Sequence, residues 1–484
     1  MSPTHSESIL NPSPHSPAAA HGPGPIPSRK SRKSRKPRRA VKDPTAGLPV
    51  LHPNAAAIDI GAAEHWVAIP PGRAEETVRG FGCCTADLEA LADWLQAHGV
   101  DTVVMEATGN YWVVLYDLLE TRGLRPVVVN PRYAKNMTGK KGDIPDCQWM
   151  QKLHTYGLFS NSFRPTAPVR VLRAYLRQRE SLVAAASQCV QHLQKALTEM
   201  NIQLANVISD VSGETGLRII DAILGGERDP ERLASLRDRR IQASAAQLAR
   251  ALRGHWKDEE LFVLEQARLS YSHYQEQLAQ CDERIQAQLR TLESRTPEPP
   301  AAATPAAAPA PADAAPVPFK LSDELKRVLG VDLTRVPGLG PLTVQVVLSE
   351  VGPDLSRWPS EKHFASWLGL CPDHRISGGK VLARSTRPVV SRARNALRLA
   401  AYGLERSQSA LGAKYRRLKR RLGAPKAIVA LAHHLARLIW RMLTQGVEYV
   451  EQGLATYEAK YRTHRIRWLQ KQAQELNLQL VEAQ

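Results

Sequence analysis

Cysteine is scarce and scattered. Six cysteines occur among 484 residues (Cys83, Cys84, Cys147, Cys189, Cys281 and Cys371), with no Cys-x-x-Cys pair and no histidines clustered at zinc-finger spacing. The sequence therefore supports neither a disulfide framework nor a structural zinc. Long hydrophobic runs are missing as well. No stretch approaches the ~20 apolar residues needed to cross a bilayer, and the polar, Pro-rich start lacks the apolar segment of a signal peptide. The expected location is the cytoplasm, with no membrane partner. Acidic residues are in deficit, 47 against 65 Lys and Arg, giving a net charge of +18 and a pI near 9.8. That balance favours a polyanionic partner over an acidic small molecule.

What is present divides the chain. Its length and 43% hydrophobic content suffice for at least two cores. Residues 1–50 form a Pro- and Ser-rich tail with the run Lys30-Ser-Arg-Lys-Ser-Arg-Lys-Pro-Arg-Arg39, which has no apolar surface to bury. Residues 51–165 read as an α/β domain in the order β-β-β-α-β-α-β-α: three short β-rich runs, a helix, the strand Asp101-Thr-Val-Val-Met-Glu106, and alternating elements up to a helix over 146–158. Residues 166–296 read as a helical, coiled-coil-like arm. Leu172, Leu176, Val183, Ala186, Val190, Leu193 and Leu197 step by threes and fours, interrupted at Arg179, a seam expected to mediate self-association unless another helix covers it. The Pro/Ala run 297–318 reads as a linker, 319–450 as a mainly helical domain, and 451–484 as a last helix.

Four carboxylates stand out. Asp59 follows Ala-Ala-Ala-Ile and Glu106 follows Thr-Val-Val-Met, positions where an uncompensated charge would be costly. In Gly142-Asp-Ile-Pro-Asp-Cys147, Pro145 suits the first turn of a helix, and Asp143 and Asp146, three apart, can face one way. Singly, each acid has an ordinary explanation as a cap or turn residue. Together they form a donor set that suits Mg²⁺ or Mn²⁺, and metal-assisted phosphodiester chemistry needs such a set.

This arrangement resembles the RNase H-like nuclease fold in its RuvC variant. Ala57-Ile-Asp-Ile-Gly61, Met105-Glu-Ala-Thr-Gly-Asn-Tyr-Trp112, Asn130-Pro-Arg132 and Gly142-Asp-Ile-Pro-Asp-Cys-Gln-Trp149 are similar to the DEDD transposases of insertion-sequence family one-ten. Gly142 and Pro145 depart from that pattern without removing a carboxylate. The resemblance implies a transposase or recombinase that cleaves and exchanges DNA strands. Its acids would be Asp59, Glu106, Asp143 and Asp146, and its partners donor DNA, target DNA and a structured guide RNA encoded by the element. It also implies a homo-oligomer, dimer or tetramer, in which acids and serine come from different subunits.

The segment Leu368-Gly-Leu-Cys-Pro-Asp-His-Arg-Ile-Ser-Gly-Gly-Lys380 reads by itself as a Gly-rich loop. The same resemblance makes Ser377 the nucleophile that becomes covalently joined to DNA. Arg375, Lys380 and Arg384 around it, and Lys140 and Lys141 before the acidic pair, are candidate nucleic-acid contacts. Gly338 and Gly340, in Pro337-Gly-Leu-Gly340, resemble a helix-hairpin-helix turn that presents backbone N–H groups to a phosphate. The run Lys414-Tyr-Arg-Arg-Leu-Lys-Arg-Arg421 offers a grip on a nucleic-acid backbone, with a solvated helix face as its ordinary explanation. Two other functions stay open at this point: a RuvC-like nuclease specific for DNA junctions, and a nucleic-acid-binding protein without catalysis.

Overall fold

The computed structural model describes residues 45, 47–130, 143–296, 319–451, 453–479 and 481. Most of the basic tail, Lys140, Lys141 and the Pro/Ala run lie outside the described residues, as do the side chains of Asp143, Arg375 and Arg384. The described chain forms two units that meet in sequence at Phe163 and Arg164. Among the described residues no helix is long and apolar enough to cross a membrane.

The first unit is organised by β1 (Ala55–Ile60), which is buried at every position except Asp59, as a strand covered on both faces must be. It pairs antiparallel with β2 (Glu64–Ala68), which pairs antiparallel with β3 (Val78–Gly82). On its other edge it pairs parallel with β4 (Thr102–Glu106), which pairs parallel with β5 (Arg125–Val129), so the sheet order is β3-β2-β1-β4-β5. Parallel neighbours need crossovers, and α1 (Thr85–Ala97) and α2 (Trp112–Thr121) supply them. Both pack on one face, where Leu91, Leu95, Leu115 and Leu119 meet Ile58, Val67, Val103 and Met105. The other face is covered by α3 (Asp143–Thr155), whose Cys147 and Met150 lie on Ala57, Ala68, Val104 and Val129. Gln151 Nε2 donates to Ala55 O at 2.9 Å and ties α3 to β1. The helix expected over 146–158 instead begins at Asp143, so the first turn holds both acids, and it ends at Thr155.

The second unit begins with two long helices, α4 (Ala167–Glu199) and α8 (Asp258–Thr291), of 33 and 34 residues. They run antiparallel: Gln288 Nε2 donates to Pro168 O, Cys281 Sγ to Tyr175 O, and Arg179 pairs with Asp282. Between them α5 (Glu214–Leu224), α6 (Pro230–Ser235) and α7 (Ala245–Ala251) close the far end. There Leu193, Leu197 and Met200 are buried with Ile219, Ile220, Leu248 and Leu264. This corrects the expectation of an exposed seam. The chain's own helices cover Leu172, Leu193 and Leu197, so the stripe carries no argument for self-association.

Residues on either side of 297–318 pack together. Arg327, on α9 (Leu321–Leu329), donates to Leu289 O at 2.9 Å and Leu292 O at 2.8 Å. Arg173 of α4 donates to Ser349 O and Glu350 O on α10 (Pro341–Val351). Then follow α11 (Glu361–Trp367), a hairpin of β6 (Pro372–Ser377) and β7 (Lys380–Thr386), α12 (Arg392–Gly403), α13 (Ala410–Leu422), α14 (Ala424–Gln445) and α15 (Leu454–Glu475). The region is mainly helical as expected, except that the serine segment is a β-hairpin and not an irregular loop.

Candidate active site

The register of β1 and β4 decides where two of the acids stand. Ile58 pairs with Met105, and Asp59 and Glu106 are each one residue further along parallel strands, so they sit side by side at adjacent strand ends. Alternation along a strand puts Asp59 on the face of Ala57 and Glu106 on the face of Val104, which is the face α3 covers. Both are half-buried. Asp143 is the first residue of α3, and Asp146, in the same turn, is exposed. A carboxylate in a first turn is favoured by the helix dipole, which gives Asp146 a structural role whatever else it does. Asp59 and Glu106 thus share one end of the sheet face that α3 covers, and the first turn of α3 carries the other two sequence positions.

Cys147 reports the charge beside it. Its thiol donates to Ala57 O at 3.3 Å and Trp66 O at 3.1 Å. Burial pushes it up to about 12, and the nearby Asp59 carboxylate adds to that shift. This thiol is fully buried and committed to two strand carbonyls, so it is not offered as a ligand. The available donors are therefore carboxylate oxygens, which fit a hard cation such as Mg²⁺ or Mn²⁺ better than zinc or copper. Among the described residues no three His, Cys, Asp or Glu groups stand close enough to hold a metal, a statement that leaves out the Asp143 side chain.

Ser377 belongs to the second unit. It ends β6 and faces Lys380 across a two-residue turn in which Gly378 has φ +54° and Gly379 φ +74°. Two successive left-handed residues make the turn type that suits the twist of a hairpin, and glycine alone adopts it without strain. Ser377 and Lys380 are both exposed at the tip. Arg375 pairs with Ala383 and Ile376 with Val381, which leaves Leu382 as a bulge. The root of the hairpin is anchored through Arg394 of α12, which donates to Thr386 Oγ1 at 3.1 Å and Val389 O at 3.0 Å.

Gly338 has φ +89°, and a Cβ there would come within 3.0 Å of Ala400 O, so backbone conformation and space both demand glycine. Gly340 caps the N-terminus of α10 with open space around it, leaving those N–H groups approachable. Sequence reasoning missed the hairpin, the Cys147 bridge between β1 and β2, and any use for the last helix. The Gly378-Gly379 pair itself, a two-residue turn signal, was the available sign of the hairpin.

Comparison with known proteins covers both regions. A family model described as a transposase, of the DEDD type of IS110, matches residues 56–202, which hold the four acids. A second, described as the transposase IS116/IS110/IS902 family, matches residues 332–416, which hold Gly338, Gly340 and Ser377. A protein of Sinorhizobium fredii (strain NBRC 101917 / NGR234), named "Putative transposase y4pF/y4sB", is 34% identical over 125 residues, which is 24% of this chain. The match spans about a third (32%) of that relative's length. Two separate stretches of the chain, in this order, are thus similar to the transposases of the IS110 family.

Proposed function

We propose that this protein is a DNA transposase that cleaves and exchanges strands to move an insertion sequence, with an acidic metal centre at Asp59, Glu106, Asp143 and Asp146 and with Ser377 as nucleophile. The observation that carries the reading is the in-register placement of Asp59 and Glu106 on the face covered by α3, whose first turn supplies the acidic pair. The sheet order, with an antiparallel meander on one side of β1 and parallel strands on the other, supports an RNase H-like fold for this unit.

Asp59, Glu106, Asp143 and Asp146 would hold Mg²⁺ or Mn²⁺, which when bound withdraws charge from the phosphate oxygens and activates the attacking oxygen. The chain's own parts do the rest. The sheet fixes the two strand acids, and the first turn of α3 carries the other two positions. The hairpin exposes the Ser377 hydroxyl so that its oxygen can attack a phosphorus and release a DNA hydroxyl, with Lys380 supplying positive charge beside the phosphate. Arg375 and Arg384 on the same hairpin, Lys140 and Lys141 before the acids, and the Gly338–Gly340 turn would contribute backbone contacts. Sequence choice by a structured guide RNA, and a composite site shared between subunits of a dimer or tetramer, follow from the family resemblance and agree with the +18 charge. Such a protein would work in the cytoplasm, where the DNA is.

The test separates the two parts of the centre. Asp59→Asn should abolish strand cleavage while nucleic-acid binding persists. Ser377→Ala should abolish the covalent protein–DNA adduct and recombination with the fold intact. A trapped adduct and robust product from Ser377→Ala would leave water or a DNA hydroxyl as nucleophile. Metal-dependent cleavage by the parent with no adduct at all would favour a junction nuclease.

A further inference from the structure

The longest basic run of the C-terminal region is not an evenly solvated helix face. Lys414, Arg417 and Arg421 lie along one side of α13, spaced three and four apart, and that side faces α15. On α15 the positions Tyr457, Tyr461 and Arg465, four apart, form the facing stripe, and Trp468 continues it, 57% exposed. Arg417 lies 3.2 Å from the ring centre of Tyr461 and donates to the Tyr457 hydroxyl at 2.9 Å. Otherwise α15 is poorly held, since none of its residues is buried.

Two adjoining cavities of about 550 and 530 Å³ share Lys414, Tyr457 and Tyr461 and make one groove. No carboxylate lines either cavity among the described residues. Nearby acids are already engaged: Glu405 pairs with Lys419, Glu361 with Arg437 and Arg441, and Glu451, behind the cavity wall, accepts from Ala410 N, Gly453 N and the Tyr449 hydroxyl. Burial, helped by Arg437, brings the Lys414 ammonium down to about 8, so an anion beside it would relieve a real electrostatic cost. The groove thus has a cationic wall, an aromatic wall and no counter-charge of its own.

We infer that the groove between α13 and α15 binds a single-stranded segment of nucleic acid, with phosphates along Lys414, Arg417, Arg421 and Arg465 and bases along Tyr457, Tyr461 and Trp468. Cations that track a backbone beside aromatic rings that receive bases are the requirements of single-strand binding. A duplex would satisfy the cations but hide its bases from the tyrosines. The α15 half lies beyond the matched segment 332–416, so the groove adds to what the family match covers. The inference rests on the nucleic-acid reading above but not on its chemistry, so it is tested with metal removed.

The experiment is fluorescence anisotropy of the full chain in EDTA, with a labelled oligodeoxyuridylate, the matching oligouridylate and a duplex of equal length, over a range of salt. Tyr461→Ala with Trp468→Ala should weaken single-strand binding about tenfold or more and leave duplex binding within about twofold. Arg421→Gln with Arg465→Gln should lower the single-strand salt slope by about 1.4, the share of two phosphates. Preference for one sugar identifies the strand as RNA or DNA, and either supports the inference. Equal losses on duplex and single strand would make the surface a general basic face, and no loss would remove nucleic acid from the groove; both overturn it. Altered sedimentation with unchanged oligonucleotide binding would assign the groove to a second copy and overturn it as well. Should a variant misfold, photo-cross-linking of a bromouracil oligonucleotide to the unaltered chain decides. Cross-links in the peptides of residues 454–475 support the groove, and cross-links confined to other peptides refute it.

Discussion

Acid should loosen the first unit through one buried histidine. His154, in the last turn of α3, is 3% exposed, and its Nε2 lies 3.0 Å from Thr102 Oγ1. That hydroxyl gives its own hydrogen to Arg125 O at 2.9 Å, so Nε2 must be the donor, and Nδ1 is buried without a partner. Burial, then the charges of His52 and Arg125, bring the imidazole from the ordinary 6.5 down to about 4, with Asp101 opposing. The folded chain thus favours the neutral form. This contribution to stability is complete above pH 6.5 and is lost as pH falls through 4. A difference of about 2.5 units corresponds to about 3 kcal/mol, a large share of the stability of a typical domain. Amide exchange resolved to peptides of β1 and β4 in the full chain, stepped from about pH 7 to about pH 4.5 and corrected for intrinsic rates, would measure it. His154→Gln keeps a donor for Thr102 and cannot take the proton, so its protection should fall less steeply, by up to about 1.4 kcal/mol per pH unit. Buried His65, also shifted down, acts in both proteins and cancels in the comparison. Parallel losses in parent and variant would refute the argument.

Leu193→Glu combined with Leu197→Glu puts two unpaired charges into the closed end of the arm and should cost more than about 4 kcal/mol, seen as lost cooperative helix melting. A folded double variant of altered sedimentation would restore the intermolecular seam. Gly378→Val forces a β-branched residue to φ +54°, at about 1–2 kcal/mol or more, and should lower adduct yield while leaving oligonucleotide binding unchanged. Unchanged adduct yield would show that the turn does not position the serine. Cys147, held near 12 and buried, should resist alkylation at about pH 8, where roughly one thiol in ten thousand is ionised, while the exposed Cys83 and Cys84 react. Equal labelling rates would contradict the bridge between β1 and β2.

Legibility followed the kind of information each element carries. Asp59 and Glu106 stand out because a charge closing an apolar strand has few ordinary reasons to be there, and the meander followed by alternating helices gives the element order, though not the order of strands in the sheet. The helix start was misplaced by three residues because Pro145 fits the first turn whether the helix begins at Asp143 or at Asp146. The arm shows the limit of periodicity. A three-four stripe states that α4 is covered but not by what, and the cover is α8, some sixty residues away in sequence. The hairpin escaped notice because its strands are short, polar and exposed, lacking the buried alternation that marks a strand. The groove escaped because a basic run looks alike on any helix until the tyrosines forty residues later are set against it.

The side-by-side acids have a consequence for how the site tolerates change. The separation of their backbones, about 4.8 Å, is the distance between hydrogen-bonded strands and is set by main-chain bonding, which every non-proline residue supports. Substitutions along β1 and β4 that preserve the sheet therefore preserve the spacing of the two carboxylates, and the surrounding apolar residues are free to drift. Register is the vulnerable quantity. Deleting or inserting one residue within the paired stretch Thr102–Met105 would turn the Glu106 carboxylate to the opposite face, among Leu91, Leu95 and Leu115, while composition and hydrophobicity stayed almost the same. Length within Ala55–Asp59 and within Thr102–Glu106, more than residue identity, is what this half of the proposed centre must conserve.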